Sequence, residues 1–323
     1  MPSEFALIDR YFRRPARNAV LGVGDDGAIV RPRPGMDIVV STDMLVAGTH
    51  FLPNADPAGL GWKTLAVNVS DMAAMGAEPR WALLAAALPA ATESWIAAFA
   101  EGFFACAGEF GVDVIGGDTT KGPRNFCVTI FGEVPEGKAL LRSGARRGDE
   151  VWVSGAPGLA ALGLAHLQGR TVLCEPALTS CLAALHRPQP RVALGLALRG
   201  LANSAIDISD GLLADIGHIL EESGVAASLH QDRMPPDALQ ACNDTALAQD
   251  CLLAGGDDYE LAFTVPAERH AEVEALANTL PLALTCIGTV TAGDAGQIAV
   301  LDANGAPLSL ERRGYDHFGS GMA

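Results

Sequence analysis

Two spacings of apolar residues alternate along this chain, one of period two or unbroken and one recurring every three or four positions. The first reads as strand and the second as helix. β-Branched runs predict strands at Ala19–Val23, Asp37–Ser41, Arg80–Leu88, Val112–Ile115, Cys127–Val134, Glu150–Ser154, Ala226–Leu229, Leu261–Val265 and Ile298–Leu301. Ser70 caps a predicted short helix that stops at Gly76, with Pro79 just beyond. Thr92 or Ser94 opens a second helix, carrying Ile96, Phe99, Phe103 and Cys106 on one stripe until Gly111. Val192 to Leu201 reads as a third after Pro190, and Ser209 caps a fourth, where Leu212, Leu213, Ile216, Ile219 and Leu220 share a face until Gly224. No period of 20 to 50 residues repeats, so solenoids and propellers are excluded. The class is α/β in the mixed sense. Pro135–Gly148, rich in Gly and holding Arg142, Arg146 and Arg147, is the predicted boundary. It divides the chain into domains 1–139 and 140–323.

At 323 residues each of two domains can bury its own core, and with aromatics at 6% that core must be aliphatic. The net charge of −16 changes the picture more: such a surface repels nucleic acid and anionic membranes, which need Lys and Arg against phosphate. If this protein handles phosphate, metal cations must stand between; otherwise the charge serves solubility alone. The longest apolar stretch, Trp81 to Ala91, is too short to span a bilayer and is interrupted by Pro89. The first residues have no basic segment followed by an apolar one, so a cytoplasmic location is expected. Seven scattered cysteines without a C-x-x-C pair suit a reducing compartment better than disulfides or zinc.

Aspartates carry the candidate chemistry. Apolar or strand-like runs lead into Asp25-Asp26, Asp43, Asp71, Asp118, Asp207 with Asp210, and Asp257-Asp258 with Glu260. Each run is expected to deliver its carboxylate into a turn, where glycine permits the bend and a close ligand approach. A single Asp in a turn is ordinarily a turn former or helix cap, which covers part of Asp71 and Asp210. Capping does not account for the pairs at 25–26 and 257–258, where like charges repel unless a cation or proton intervenes. Mg²⁺ suits hard oxygen ligands and binds through a few carboxylates plus substrate phosphates. Phosphoryl transfer then needs alignment and charge neutralisation rather than a catalytic Ser, Cys or His.

Two familiar phosphate motifs fail on their context. Gly22–Gly27 satisfies G-x-G-x-x-G, but Asp25 and Asp26 would face the pyrophosphate and no helix follows. Gly132–Lys138 resembles a Walker A loop but ends in Ala139 and carries Glu133 and Glu136. Beyond the aspartates, Arg142 could pin a phosphate or be a solvated linker charge. His50 could touch substrate or pack in the core. Tyr315, His317 and Phe318 could close over a ligand or seal the core, and Glu260 is either a further anion or a strand-edge residue.

Taken in order, Gly24–Asp26, Ser41–Asp43, Gly48–Phe51, Asn68–Ala77, Gly116–Thr120, Arg142–Gly144, Asp207–Gly211, Gly255–Leu261 and Gly314–Phe318 resemble the bacterial thiamine-monophosphate kinase family. That family belongs with the aminoimidazole-ribonucleotide-synthetase-like ATP enzymes. The resemblance implies an N-terminal mixed sheet forming a barrel at a dimer interface, and a C-terminal α/β domain completing an ATP and substrate cleft. It implies ATP as co-substrate, several Mg²⁺ ions, and direct γ-phosphoryl transfer to thiamine monophosphate in thiamine diphosphate biosynthesis. By the same resemblance, Asp26, Ser41, Thr42, Asp43, Asp71, Asp118, Asp207 and Asp210 are Mg²⁺ ligands. Gly117, Arg142 and Ser209 are ATP contacts, and His50, Glu260 and Tyr315 are substrate contacts. A cationic thiazolium would suit an acidic residue and an aromatic ring. Relatives with a reactive cysteine near either terminus fit less well, because the first Cys here is Cys106, inside a predicted helix, and the chain ends Gly-Ser-Gly-Met-Ala. A nucleotide-binding regulator without turnover is the alternative of a different class; the full aspartate set argues against it.

Overall fold

A computed structural model describes residues 4–309, 312, 314 and 315, and it separates into two compact units. One comprises Met1–Met72 with Ala77–Ala139, the other Ala73–Gly76 with Leu140–Ala323.

The first unit begins with a helical turn, α1 (Glu4–Leu7), and a two-stranded ribbon, β1 (Ala19–Leu21) and β2 (Ile29–Val30). There follow β3 (Met36–Val46), α2 (Pro57–Ala74), β4 (Glu78–Leu88), α3 (Glu93–Glu109), β5 (Asp113–Lys121) and β6 (Asn125–Pro135). The four long strands form one open sheet in the order β3-β6-β4-β5. Only β4 and β5 run parallel, joined by the α3 crossover. The sheet is open rather than a barrel: within one chain no strand joins β3 to β5 among the described residues.

Helix α3 buries the predicted stripe of Ile96, Phe99, Phe103 and Cys106. Phe99 stacks on Phe126 of β6 at 4.4 Å between ring centres and on Trp95 at 5.4 Å. Helices α2 and α3 cross through glycines. A Cβ on Gly61 would overlap the Phe99 carbonyl, and one on Gly102 would overlap the carbonyl of Ala58.

Helix α2 differs from expectation. Ser70 does not cap a short helix; it lies fully buried in the last turn of an 18-residue one. Pro57 opens that helix, where a missing N–H costs nothing, and the Asp56 carboxylate accepts from Gly59 N at 2.7 Å. Gly76, at φ +62°, ends it as expected.

The second unit holds β7 (Glu150–Ser154), α4 (Leu159–Leu167), α5 (Ala177–His186), α6 (Val192–Leu198), β8 (Ser204–Asp207), α7 (Leu212–Ser223) and β9 (Ala226–His230). It continues through α8 (Asp237–Ala241), α9 (Thr245–Ala254), β10 (Leu261–Val265), α10 (His270–Thr279), β11 (Leu284–Thr291) and β12 (Ile298–Leu301). Its six-stranded sheet runs β12-β9-β11-β7-β10-β8, antiparallel except for β12 beside β9. Alternation along β7 sends Val151 and Val153 into a core with Leu212 and Ile216 of α7 and Leu252 of α9. Trp152 enters a separate core with Leu194 and Leu198 of α6 and Val273 of α10. Both faces are therefore covered, which explains why every residue of β10 is buried.

Candidate active site

In the first unit, strand alternation sorts the Ser-Thr-Asp triplet. Ser41 and Asp43 lie on the face of β3 turned to α2: Ser41 Oγ donates to Asp71 Oδ2 at 2.5 Å, and Asp43 N donates to Asn68 Oδ1 at 3.1 Å. Thr42 points the other way, its hydroxyl 2.9 Å from that of Thr129 on β6. The structure thus brings Ser41, Asp43 and Asp71 together, adds Asn68, and turns the Thr42 side chain to the opposite face. Asp43 and Asp118 do not follow their strands into turns as expected; both lie within longer strands, β3 and β5, and Asp71 lies in the last turn of α2. The apolar runs that were read as whole strands are only their cores.

A second grouping lines a cavity of about 1150 Å³. Asp25 and Asp26 enter from the turn after β1, Gly117 and Asp118 from β5, and Asp9 and Arg13 from the N-terminal segment. Asp25 accepts from the Asp26 amide through Oδ1 at 2.9 Å, which holds the paired carboxylates in one turn. Gly117 has φ +147°, and a Cβ there would overlap the Leu84 carbonyl, so the backbone of β5 is bare where it lines the cavity. Through the sheet register Asp43, Val128, Leu84 and Gly117 share one rung. Three strand spacings put Asp43 and Gly117 roughly 14 Å apart along it. His50 folds back on the end of β3, its Nδ1 accepting from Val46 N at 3.0 Å.

In the second unit, β8 ends in Asp207 and runs into Ser209-Asp210-Gly211. Ser209 is not the cap of α7. That place falls to Gly211 at φ +128°, and the capping acceptor comes from within the helix. Asp215 Oδ2 accepts from the amides of Ser209, Asp210 and Gly211 at 3.0, 3.1 and 3.1 Å. Burial, reinforced by the charge of Asp210 and opposed by these three donors, pushes the Asp215 carboxyl up to about 7. The neighbouring turn is tied on by Asp257 N to Ser209 O at 2.9 Å and Tyr259 N to Ile208 O at 2.8 Å. Tyr315 N donates to Asp210 O at 2.9 Å, so Tyr315 reaches the same loop. His317 and Phe318 lie outside the described residues.

Asp215→Ala should therefore leave three partly or fully buried amides without an acceptor. The expected loss is about 3 kcal/mol of stability, several times that of Asp215→Asn, which keeps an oxygen in place. Thermal unfolding of the two variants checks this.

The 257–258 pair resolves differently from expectation. Asp258 is buried and accepts from Gly158 N at 2.7 Å and Ala160 N at 3.4 Å, so it serves the start of α4. Burial holds its carboxyl well above the usual range. Capping thus accounts for one member of the pair that the sequence had set apart. Arg142 is exposed and is not brought to Ser209. Leu141 O accepts from Ala205 N and Gly144 packs on the Asn203 carbonyl, so Arg142 lies by the beginning of β8 whereas Ser209 follows its end.

Sequence reasoning missed Asp215, Arg191 and Ser154. A signal existed for Asp215, an acid on the otherwise apolar stripe Leu212, Ile216 and Ile219. None existed for Arg191 and Ser154, which meet Glu260 from 69 and 106 positions away.

The donor set is oxygen throughout, from Asp, Ser and the Asn68 amide. Among the described residues, no group of three His, Cys, Asp or Glu side chains is close enough to hold an ion unaided. Oxygen side chains of this kind are the hard ligands that suit Mg²⁺.

Comparison with known proteins defines the class first. Residues 24–134 match the AIR synthase related protein N-terminal domain and residues 146–300 its C-terminal domain. The chain is 44% identical over 320 residues to the thiamine-monophosphate kinase of Salmonella typhimurium, covering 98% of each. The crystal structure of thiamine-monophosphate kinase from Stenotrophomonas maltophilia superposes with a TM-score of 0.84 at 44% identity, covering 95% of this chain and 98% of that one. AaThiL complexed with AMPPCP and TMP superposes at 0.77 with 32% identity, covering 92% of each chain. The chain belongs to the AIR synthase related proteins and, within them, to the thiamine-monophosphate kinase family.

Proposed function

We propose that this protein transfers the γ-phosphoryl group of ATP in line to the phosphate of thiamine monophosphate, yielding thiamine diphosphate and ADP. This is the last step of thiamine diphosphate biosynthesis, carried out in the cytoplasm. The observation that carries the reading is the cavity in which Asp26, Gly117 and Asp118 converge, in a chain whose relatives include a kinase complexed with AMPPCP and TMP.

Asp26, Asp43, Asp71, Asp118, Asp207 and Asp210, with Ser41 and Thr42, would hold several Mg²⁺ ions. Of the Thr42 residue only main-chain atoms are free of the opposite face, so its contribution would come from there. Mg²⁺ bound there would neutralise phosphate oxygens and set donor and acceptor in line. The chain's own residues do the rest. Gly117 presents bare backbone to the nucleotide, with Ser209 and Arg142 as further ATP contacts. His50, Glu260 and Tyr315 orient thiamine monophosphate. The acceptor phosphate is already ionised near neutral pH, so no residue needs to remove a proton. With ATP labelled at the γ position, the label should appear in the terminal phosphate of thiamine diphosphate with a single inversion at phosphorus. Retention, or label only in free phosphate, would contradict direct transfer.

The homodimer belongs to the same reading. Val40 (55% exposed) and Met44 (53% exposed) alternate on the face of β3 turned away from α2, beside Ile38. An exposed apolar strand face of this kind marks an interaction surface, and the open sheet would close into a barrel only with a second copy. The double change Val40→Lys with Met44→Lys should convert a dimer to a folded monomer in light scattering after size exclusion. An unchanged mass would place the interface elsewhere.

A further inference from the structure

The buried carboxylate of Glu260 is where two distant segments of the chain meet. Arg191, just before α6, donates to it through Nε at 2.6 Å and Nη2 at 2.5 Å. Ser154, at the end of β7, donates Oγ to Oε2 at 2.5 Å and accepts from Leu261 N at 2.9 Å. The next residue, Gly155, has φ +60°, and a Cβ there would overlap the carboxylate, so the chain is stripped to make room for it. Glu260 is 6% exposed, and a carboxylate so buried is tolerated only when its oxygens are paired. Two parallel bonds from one guanidinium fix both position and orientation, which a lysine ammonium does not.

The arrangement extends into the candidate site through the main chain. Glu260 O accepts from Ile208 N at 2.8 Å, and Tyr259 N donates to Ile208 O at 2.8 Å. These bonds register the Asp257–Glu260 turn against the end of β8, where Asp207 and Ser209-Asp210 begin. Tyr259 and Asp257 hold positive φ values of +52° and +72°, so the turn is held in a conformation that most residues avoid. The bonding around Glu260 opposes its relaxation.

We infer that Arg191 is a positioning residue for the kinase reaction: its two-bonded ion pair holds Glu260, and the turn that ends in it, where thiamine monophosphate binds. The inference rests on the proposed substrate reading. It adds that the substrate meets an Arg–Glu pair of no net charge, rather than a free carboxylate. Recognition on this side is then by shape and hydrogen bonding more than by attraction of the thiazolium cation.

The test is steady-state kinetics of Arg191→Lys, Glu260→Gln and the double variant, each with its unfolding temperature. Arg191→Lys keeps the charge and loses the paired bonds. It should raise KM for thiamine monophosphate at least about tenfold. KM for ATP should stay near the wild-type value, and the double variant should be no worse than the poorer single one, because both changes break the same pair. Wild-type kinetics for Arg191→Lys, additive losses in the double variant, or equal rises in both KM values that track a fall in unfolding temperature would each overturn the inference while leaving the kinase reading standing. No turnover of thiamine monophosphate by the wild-type protein would overturn the kinase reading and this inference with it.

Discussion

Asp43→Asn should lower turnover by at least about 10²-fold, the loss expected when one preorganised electrostatic stabiliser is removed from a phosphoryl-transfer site. The fold should survive it. Asp43 meets α2 through its main-chain amide, which donates to Asn68, so that bond and the ladder to Val128 do not depend on the side-chain charge. The amide of Asn keeps the size and one oxygen but gives up the charge that a hard cation requires. The check is kcat at saturating Mg²⁺, with circular dichroism to confirm the fold. Wild-type kcat with an unchanged Mg²⁺ dependence would remove Asp43 from the metal set.

A large structural effect is expected at the helix crossing of the first unit. Gly102→Ala places a methyl group against the Ala58 carbonyl, which belongs to the backbone of α2 and cannot swing aside. The helices must part, at a cost of about 3 kcal/mol. Because α2 also carries Asn68 and Asp71, activity should fall with stability. Gly108 gives the control. It lies on the same helix with nothing near its missing Cβ, so Gly108→Ala should stabilise by roughly 0.5–1 kcal/mol through lost chain entropy. Urea unfolding of the two variants should move in opposite directions.

What could be read from the sequence followed from local physics. The stripe Ile96, Phe99, Phe103 and Cys106 needs only helical spacing to be recognised, and it is buried as expected. The face of α7 was legible on the same ground. Helix α2 is longer than its spacing predicts because Gly59 and Gly61 lower helix propensity, and the reason for Gly61, a close crossing with α3, is a tertiary fact. Asp43 and Asp118 were expected in turns because polar residues interrupt the β-branched runs. In the structure those interruptions are one face of a continuing strand. The motif order was strong enough to point to the family without any knowledge of the contacts. What it did not disclose is how the carboxylates are held. Asp215 beneath the Asp210 loop, Asp258 at the start of α4, and Arg191 on Glu260 all depend on residues brought together only by folding.

The most direct test of the central claim is a turnover assay of the purified protein with ATP, Mg²⁺ and thiamine monophosphate, following ADP and thiamine diphosphate together. The account predicts that both form in equal amounts and that a chelator stops both. ADP formed without thiamine diphosphate would contradict it.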